Sequence, residues 1–123
     1  VQTCALPICC VGVQLVTGGT APLLATFAPD GGVAATQSFA RTFLVPGMNH
    51  CSGGPATDSF DSIQTMVDWV EKGIAPQSIA AKALPTNTDF PNRTRPLCPY
   101  PQFAKYKGSG SVEDASSFVC SAS

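Results

Sequence analysis

The segment that most constrains this chain is an apolar run that passes directly into a glycine-rich loop. Phe43–Val45 has the composition of a short buried strand. Pro46 and Gly47 end that strand, because proline lacks a backbone donor and glycine permits backbone angles that other residues avoid. The loop then presents His50, the single histidine among 123 residues. A lone histidine is commonly a surface or packed residue, but an imidazole at a strand exit is also a candidate general base.

A helix is predicted after the loop, because apolar residues recur at steps of three and four residues. They are Phe60, Ile63, Met66, Val67 and Val70. This spacing predicts a helix whose apolar face covers a sheet, with Trp69 as a packing residue. Asp58 or Ser59 is expected to cap the start of the helix, and Gly73 to end it in a left-handed conformation.

The remaining segments give weaker signals. Residues 11–15 alternate like a strand, and residues 33–40 predict a short helical or extended lead-in to the apolar strand. Residues 77–84 fit either a strand or a short helix. Residues 85–102 are rich in proline and predict an ordered loop that crosses the surface. A turn of helix is expected within residues 111–118.

Charge and hydropathy exclude several classes of protein. Seven basic and eight acidic residues give a net charge of −1, without the basic patch that nucleic acids or anionic membranes require. The longest apolar runs are also too short to cross a bilayer. Neither a nucleic acid nor a membrane is therefore expected as a partner.

The cysteine content points to an oxidising compartment, since the chain has six cysteines. Zinc binding is disfavoured, because the sequence contains neither a Cys-x-x-Cys pair nor a second histidine. Cys98 and Cys120 are predicted to form a disulfide, the alternative being two free buried thiols. A link of this span restrains the unfolded chain by about 3 kcal/mol, and the tail has few large apolar residues that could fix it otherwise.

Six motifs, in order within residues 33–121, resemble the tannase and feruloyl esterase family of serine esterases. They are Val45–Pro55 (VPGMNHCSGGP), Asp58–Asp61 (DSFD), Val67–Gly73 (VDWVEKG), Arg93–Pro101 (RTRPLCPYP), Tyr106–Gly110 (YKGSG) and Phe118–Cys120 (FVC). The resemblance implies an α/β fold, with this chain as a C-terminal fragment of an α/β-hydrolase domain. The fragment would contain the last core strand, the histidine loop, the following helix and a disulfide-closed tail.

The same resemblance implies that His50 is the base of a Ser-His-Asp triad. It also implies a disulfide from Cys51 to an absent cysteine that precedes the nucleophilic serine. Ser52 and Ser59 are not candidates for that serine, because neither lies in a Gly-x-Ser-x-Gly elbow. Asp30 is the only carboxylate before His50, but its Pro-Asp-Gly-Gly setting indicates a turn, so the triad aspartate is not assigned. Cys51 as the nucleophile is disfavoured, because adjacent residues of one loop seldom face each other.

By resemblance, the function is hydrolysis of aromatic-acid esters such as galloyl, feruloyl or other hydroxycinnamoyl esters, and relatives also hydrolyse terephthalate monoesters. The partner would be a small aromatic ester, and the enzyme would be secreted or periplasmic. No cofactor is expected, because the family's calcium site lies in a lid domain outside this chain, and no metal ligand is assigned. The fragment alone is expected to be inactive. The alternative is a small disulfide-stapled secreted binding module in which His50 is only structural.

Residues 1–8 are expected to be foreign to the protein. One reverse translation of Val-Gln-Thr-Cys-Ala-Leu-Pro-Ile reads as a common sequencing-library adapter, and such residues are excluded from fold reasoning. Cys4 would then have no native partner. Residues 9–123 would form a partial, C-terminal portion of one α/β-hydrolase catalytic domain, without its lid domain and nucleophile region. The rival interpretation makes residues 1–8 an ordinary short strand.

Overall fold

A computed structural model describes residues 2–8, 11–17, 31–50 and 52–123, the first two ranges as strand backbone only. The elements in chain order are strands β1 (Gln2–Ile8) and β2 (Val11–Thr17), the helical turn α1 (Val33–Thr36), strand β3 (Ala40–Leu44), helix α2 (Ser62–Lys72), strands β4 (Ile79–Lys82), β5 (Thr94–Leu97) and β6 (Phe103–Tyr106), a 3-10 turn (Ala115–Ser117) and strand β7 (Phe118–Ser121). They form a three-stranded sheet, β1-β2-β3, and two antiparallel pairs, β4-β5 and β6-β7.

Strand β3 lies at the centre of this arrangement. The predicted apolar strand is confirmed, although β3 begins three residues before the apolar run. On one side β3 runs parallel to β2. On the other side the tail meets it, since Phe43 bridges Pro99 and the Tyr100 N–H donates to the Thr42 carbonyl oxygen at 2.8 Å. Phe43 is therefore fully buried, with 0% of its surface exposed. The lead-in to β3, left open by the sequence, is the helical turn α1.

One hydrophobic core joins the strand, the loop after it, the helix and the β4-β5 pair. Its buried members are Phe43, Val45, Met48, Ala56, Met66, Trp69, Ile79, Ala81 and Leu97. Full burial of a side chain such as Met or Phe contributes about 1.5–3 kcal/mol. Because Val45, Met48 and Ala56 belong to the loop, the path of the loop depends on the same packing that holds the helix.

Helix α2 confirms the helix predicted from the apolar spacing, and it ends as expected at Gly73. That glycine has a φ of 68°, and its N–H returns to the Trp69 carbonyl oxygen at 3.1 Å. Trp69 is buried in the core, as predicted. On the solvent side, Lys72 forms an ion pair of 2.7 Å with Asp68, one turn earlier.

The predicted cap of this helix is wrong. Asp61 is the capping residue, and its carboxylate accepts the Gln64 N–H at 2.8 Å. Asp58 and Ser59 lie too early in the chain, because Ser59 forms an antiparallel bridge with Lys82 at the end of β4. Because the backbone of Ser59 takes part in strand-like pairing, the helix begins later, at Ser62.

The expectation that the whole apolar stripe is core is also wrong. Met66 is buried, but Ile63 is 61% exposed and Val70 is 51% exposed. The covered face is centred between Met66 and Trp69. Ile63 and Val70, which are two turns apart along the helix, share a line at the margin of that face. Only the central part of the stripe is therefore buried in the hydrophobic core.

Arg41 of β3 joins three segments. Its guanidinium donates to the Pro76 carbonyl oxygen at 2.6 Å and to the Gln37 carbonyl oxygen at 3.3 Å. It also lies over the Trp69 ring, 5.5 Å from the ring centroid, within range of a cation–π interaction. Partial burial lowers the pKa of Arg41 from its ordinary value. These contacts fix the direction in which the chain leaves α2.

The tail contains more strand than the sequence predicts. Residues 77–84 take the strand alternative as β4, but β5 interrupts the loop predicted over residues 85–102, and β6 and β7 were not predicted. Within residues 111–118, a 3-10 turn replaces the expected turn of α-helix. Cys98, directly after β5, forms the predicted disulfide with Cys120 of β7, with a Cα–Cα distance of 5.5 Å. The tail is thus two short strand pairs joined covalently.

Some predictions lie outside the described residues. Cys51 and its predicted disulfide, Asp30 and the side chain of Cys4 are among them. The backbone of residues 2–8 pairs with β2 as β1, but pairing does not test where those residues come from. Their adapter origin stays a prediction.

Candidate active site

His50 lies on the loop that leaves the end of β3, and its side chain is exposed. The loop is anchored on both sides of its first turn, because Val45 and Met48 are both buried in the core. The Met48 N–H donates to the Val45 carbonyl oxygen at 3.3 Å, which closes the turn through Pro46 and Gly47. An exposed imidazole is therefore presented from a backbone that the core holds in place.

The two ends of the loop touch backbone to backbone at Gly47 and Gly54. Both have a positive φ, 77° and 84°. A Cβ atom on Gly47 would lie 2.7 Å from the Pro55 carbonyl oxygen, and one on Gly54 would collide with the Gly47 carbonyl oxygen. Only glycine fits such a close approach. The glycine-rich composition is thus what closes the loop around His50.

A carboxylate holds the inside of this loop. The Gly53 carbonyl oxygen accepts the Asn49 N–H at 2.9 Å, and the Gly53 N–H donates to the Asp58 carboxylate at 2.5 Å. The other carboxylate oxygen of Asp58 accepts the Leu84 N–H at 3.4 Å. Asp58 therefore connects the loop to the segment that follows β4. It is separated from Asn49, the residue before His50, by two hydrogen bonds through Gly53.

Asn87 holds the far end of the loop. Its side-chain amide donates to the Ala56 carbonyl oxygen at 3.1 Å and to the Gly54 carbonyl oxygen at 3.4 Å. Its own side-chain oxygen accepts the N–H groups of Asp89 and Phe90 at 3.0 and 2.9 Å. These bonds fix the orientation of the Asn87 side chain, so it supports the loop rigidly.

Sequence reasoning missed both Asp58 and Asn87 as parts of the site. A signal existed for Asp58, because an acid a few residues after Gly53-Gly54-Pro55 is well placed to accept amides that such a loop exposes. It was assigned to the helix cap instead. Asn87 gives no comparable local signal, since its partners lie 31 and 33 residues earlier in the chain.

A cavity of about 400 Å³ lies between the ends of the loop and the tail. Its lining includes Gly47 and Pro55 from the loop, and Arg95 and Cys98 from the tail. Burial lowers the pKa of Arg95 from its ordinary value, with a further contribution from a neighbouring arginine. Among the described residues that line this cavity His50 is not included, so we do not assign the cavity as an ester-binding site.

The predicted site residues fall in two places. His50 is on the loop after β3, whereas Cys98 and Cys120 form the disulfide of the tail. Ser52 is exposed on the loop, and Ser59 is engaged through its backbone in the bridge to β4. In the part of the chain that the structure describes, no three His, Cys, Asp or Glu side chains cluster as metal ligands.

The comparison with known families is decisive. A family model described as "Tannase and feruloyl esterase" matches residues 18–121. The chain belongs to the tannase and feruloyl esterase family. The match includes the histidine loop, helix α2 and the disulfide-bonded tail, and it begins after β1 and β2.

Individual members of the family agree with this assignment. A mono(2-hydroxyethyl) terephthalate hydrolase from Piscinibacter sakaiensis is 58% identical over 85 residues, which are 68% of this chain and 14% of that relative. Among solved structures, an esterase from Aspergillus oryzae superposes with a TM-score of 0.59 at 33% identity, over 72% of this chain and 20% of that one. Feruloyl esterase B from the same organism gives a TM-score of 0.57 at 29% identity, with the same shares covered.

These neighbours support an α/β-type fold for the chain. The chain spans a fifth or less of the length of each relative. In the described residues no helix is both long enough and apolar enough to span a membrane.

Proposed function

We propose that this chain is the C-terminal part of a secreted or periplasmic carboxylic ester hydrolase, in which His50 is the general base. The observation that carries the proposal is the family match over residues 18–121, within which the chain's single histidine is exposed on a closed loop at the end of a core strand. The Cys98–Cys120 disulfide supports an oxidising compartment, where such links persist.

In the proposed mechanism, neutral His50 accepts the proton of a serine hydroxyl as that oxygen attacks the ester carbonyl. The imidazolium then returns the proton to the leaving alcohol, which leaves an acyl-enzyme for water to hydrolyse with the same histidine as base. A carboxylate would fix the ring's tautomer and stabilise its charged form. The serine and the carboxylate are assigned to other parts of the enzyme, because no residue of this chain was identified for either role.

The substrates we propose are esters of aromatic acids. The names of two relatives support this class: one is a feruloyl esterase, and the other is a hydrolase of a terephthalate monoester. We further propose that Cys51 forms a disulfide to the cysteine before the nucleophile. Such a link would limit relative motion between nucleophile and base, and this preorganisation favours proton transfer.

The alternative of a complete binding module receives no support from the family match. That module would fold cooperatively as a monomer when this chain is expressed alone. A partial hydrolase domain is instead expected to aggregate under the same conditions, because its apolar surface remains uncovered. Size-exclusion chromatography and thermal unfolding of the chain alone separate these two outcomes.

The test of the proposed function uses a hybrid enzyme, in which residues 31–123 replace the matching segment of the Piscinibacter sakaiensis relative. We expect the hybrid to hydrolyse a chromogenic aryl ester, and His50→Ala to lower kcat by about 10⁴-fold. Ser52→Ala serves as the matched control on the same loop and should leave kcat within a small factor. A folded hybrid in which His50→Ala retains near-native kcat contradicts the proposal.

A further inference from the structure

Asp58 has a place in the fold that the proposed mechanism does not use. It lies after the histidine loop, and its two carboxylate oxygens accept N–H groups from opposite sides. One is the Gly53 N–H at 2.5 Å, and the other is the Leu84 N–H at 3.4 Å. The side chain thus bridges the loop and the segment after β4, two parts of the chain that are 31 residues apart.

The bond to Gly53 continues toward the histidine. The Gly53 carbonyl oxygen accepts the Asn49 N–H at 2.9 Å, and Asn49 directly precedes His50. A hydrogen bond from a neutral donor to a carboxylate is charge-assisted and stronger than one between neutral groups. Asp58 is therefore the ionisable anchor of a short chain of hydrogen bonds that ends beside the proposed base.

We propose that Asp58 is a positioning residue for His50. It holds the backbone of the histidine loop in the position and orientation that proton transfer requires. The inference rests on the proposed function of His50 and names a residue that acts on it through the backbone. In this role Asp58 acts on the loop backbone, through the Gly53 N–H. It restricts the backbone on both sides of the histidine, in concert with Asn87, which fixes the same loop at Gly54 and Ala56.

The expected consequence is kinetic. Misplacement of a catalytic group by about 1 Å can cost roughly 10²-fold in rate, even when the substitution is remote from the chemistry. Because the proposed role is to hold the loop backbone and not to bind substrate, loss of Asp58 should lower kcat and kcat/KM together and leave KM nearly unchanged. A purely structural residue would lower the amount of folded enzyme but not the kcat of the folded fraction.

The experiment compares three variants of the hybrid enzyme. D58A removes both acceptors, whereas D58N keeps one side-chain oxygen that can accept the Gly53 N–H. D61A is the matched control, because it removes the cap of α2 and destabilises the fold without touching the histidine loop. For each variant, active-site titration gives the folded fraction, steady-state kinetics give kcat and KM, and hydrogen exchange reports on the Gly53 and Asn49 amides.

We expect D58A to lose about 10²-fold in kcat and to exchange the Gly53 and Asn49 amides faster. D58N should remain within about tenfold of the parent, since a neutral oxygen makes a weaker bond of the same geometry. D61A should lower the melting temperature and leave kcat unchanged. If His50→Ala abolishes activity but D58A keeps native kcat, the positioning role is wrong and the proposed function survives. If His50→Ala itself has no effect, the proposed function fails first.

Discussion

The histidine loop, which has no regular structure, and the C-terminal tail, which contains two short strand pairs, are held by different means. The loop lies over the core, and its ends are closed by glycine contacts and by hydrogen bonds to Asp58 and Asn87. The tail is held by the Cys98–Cys120 disulfide and by an ion pair between Arg93 and Glu113. Its last two strands, β6 and β7, bury little, since Phe103 is 53% exposed and Val119 is 49% exposed.

A disulfide and a set of close backbone contacts constrain a segment in different ways. A disulfide mainly restrains the unfolded chain, so it keeps a thinly packed segment folded but does not by itself fix atoms to a fraction of an ångström. Close backbone contacts and buried anchors act on the native state, and they define one conformation. The region that presents the proposed base uses the second kind of device. The tail, for which no chemistry is proposed, uses the first.

The largest expected effect comes from closing the space between the loop ends. Gly54→Ala places a methyl group against the Gly47 carbonyl oxygen and forces an alanine to a φ of 84°. Strained backbone and overpacking together should cost about 4 kcal/mol of unfolding free energy in the hybrid enzyme. Denaturant unfolding measures this loss, and steady-state kinetics should show kcat falling with it.

A control for that change exists in the tail. Gly108 has a φ of 87° but no atom within 4 Å of the position a Cβ would take. Gly108→Ala should therefore cost only the backbone term, about 1–2 kcal/mol, with kcat unchanged. Equal losses at the two glycines would mean that the close approach at the loop contributes nothing.

The second effect separates stability from activity. Replacing both tail cysteines, Cys98→Ser with Cys120→Ser, should lower the unfolding free energy by about 3 kcal/mol, because the unfolded chain without the link gains conformational entropy. Below the new melting temperature, kcat should stay close to that of the parent, because the Cys98–Cys120 disulfide does not belong to the histidine loop. Calorimetry and kinetics on the same sample test both statements. A large loss of kcat in the folded double variant would place the disulfide among the supports of the site.

Local patterns predicted the parts of this fold that depend on local chemistry. The apolar run at Phe43, the end of α2 at Gly73 and the buried Trp69 follow from residue type and spacing, which act within a few residues. The pairing of Cys98 with Cys120 also follows, because the tail offers few other ways to hold itself. These features required no knowledge of what the chain contacts elsewhere.

The sequence failed where long-range partners decide the structure. Strand β5 contains Pro96, and proline is a poor strand former, so we attribute the strand to its pairing with β4. Asp58 satisfies the pattern of a helix cap, but Ser59 is drawn into a bridge with Lys82 and the helix starts later. The supports of the candidate site were missed for the same reason, since their partners lie in distant segments.

A third, smaller effect concerns the cap that replaces the predicted one. Asp61→Ala leaves the Gln64 N–H without its side-chain acceptor, and loss of such a cap typically costs about 1 kcal/mol. Asp61→Asn and Asp61→Ser, which keep an acceptor, should recover most of the loss. Thermal unfolding of the three variants measures the series. An alanine variant as stable as the serine variant would show that α2 is held by its packed face alone.

The smallest expected effect tests the ion pair of the tail through its pH dependence. Glu113 accepts two hydrogen bonds from the Arg93 guanidinium, at 2.5 and 2.7 Å, and these bonds lower the pKa of Glu113 below its ordinary value of 4.5. A lowered pKa in the folded state stabilises the fold above pH 4.5, and that stability is lost as the pH falls through the folded pKa.

Glu113→Gln should therefore be slightly less stable than the parent at pH 7, and the difference should vanish in acid. Because the Glu113 side chain is 46% exposed, added salt should also shrink the difference. Glu71→Gln, which removes an acid from the exposed end of α2, controls for net charge, and a stability gap for Glu113→Gln that persists unchanged in acid would exclude the ion pair as its cause.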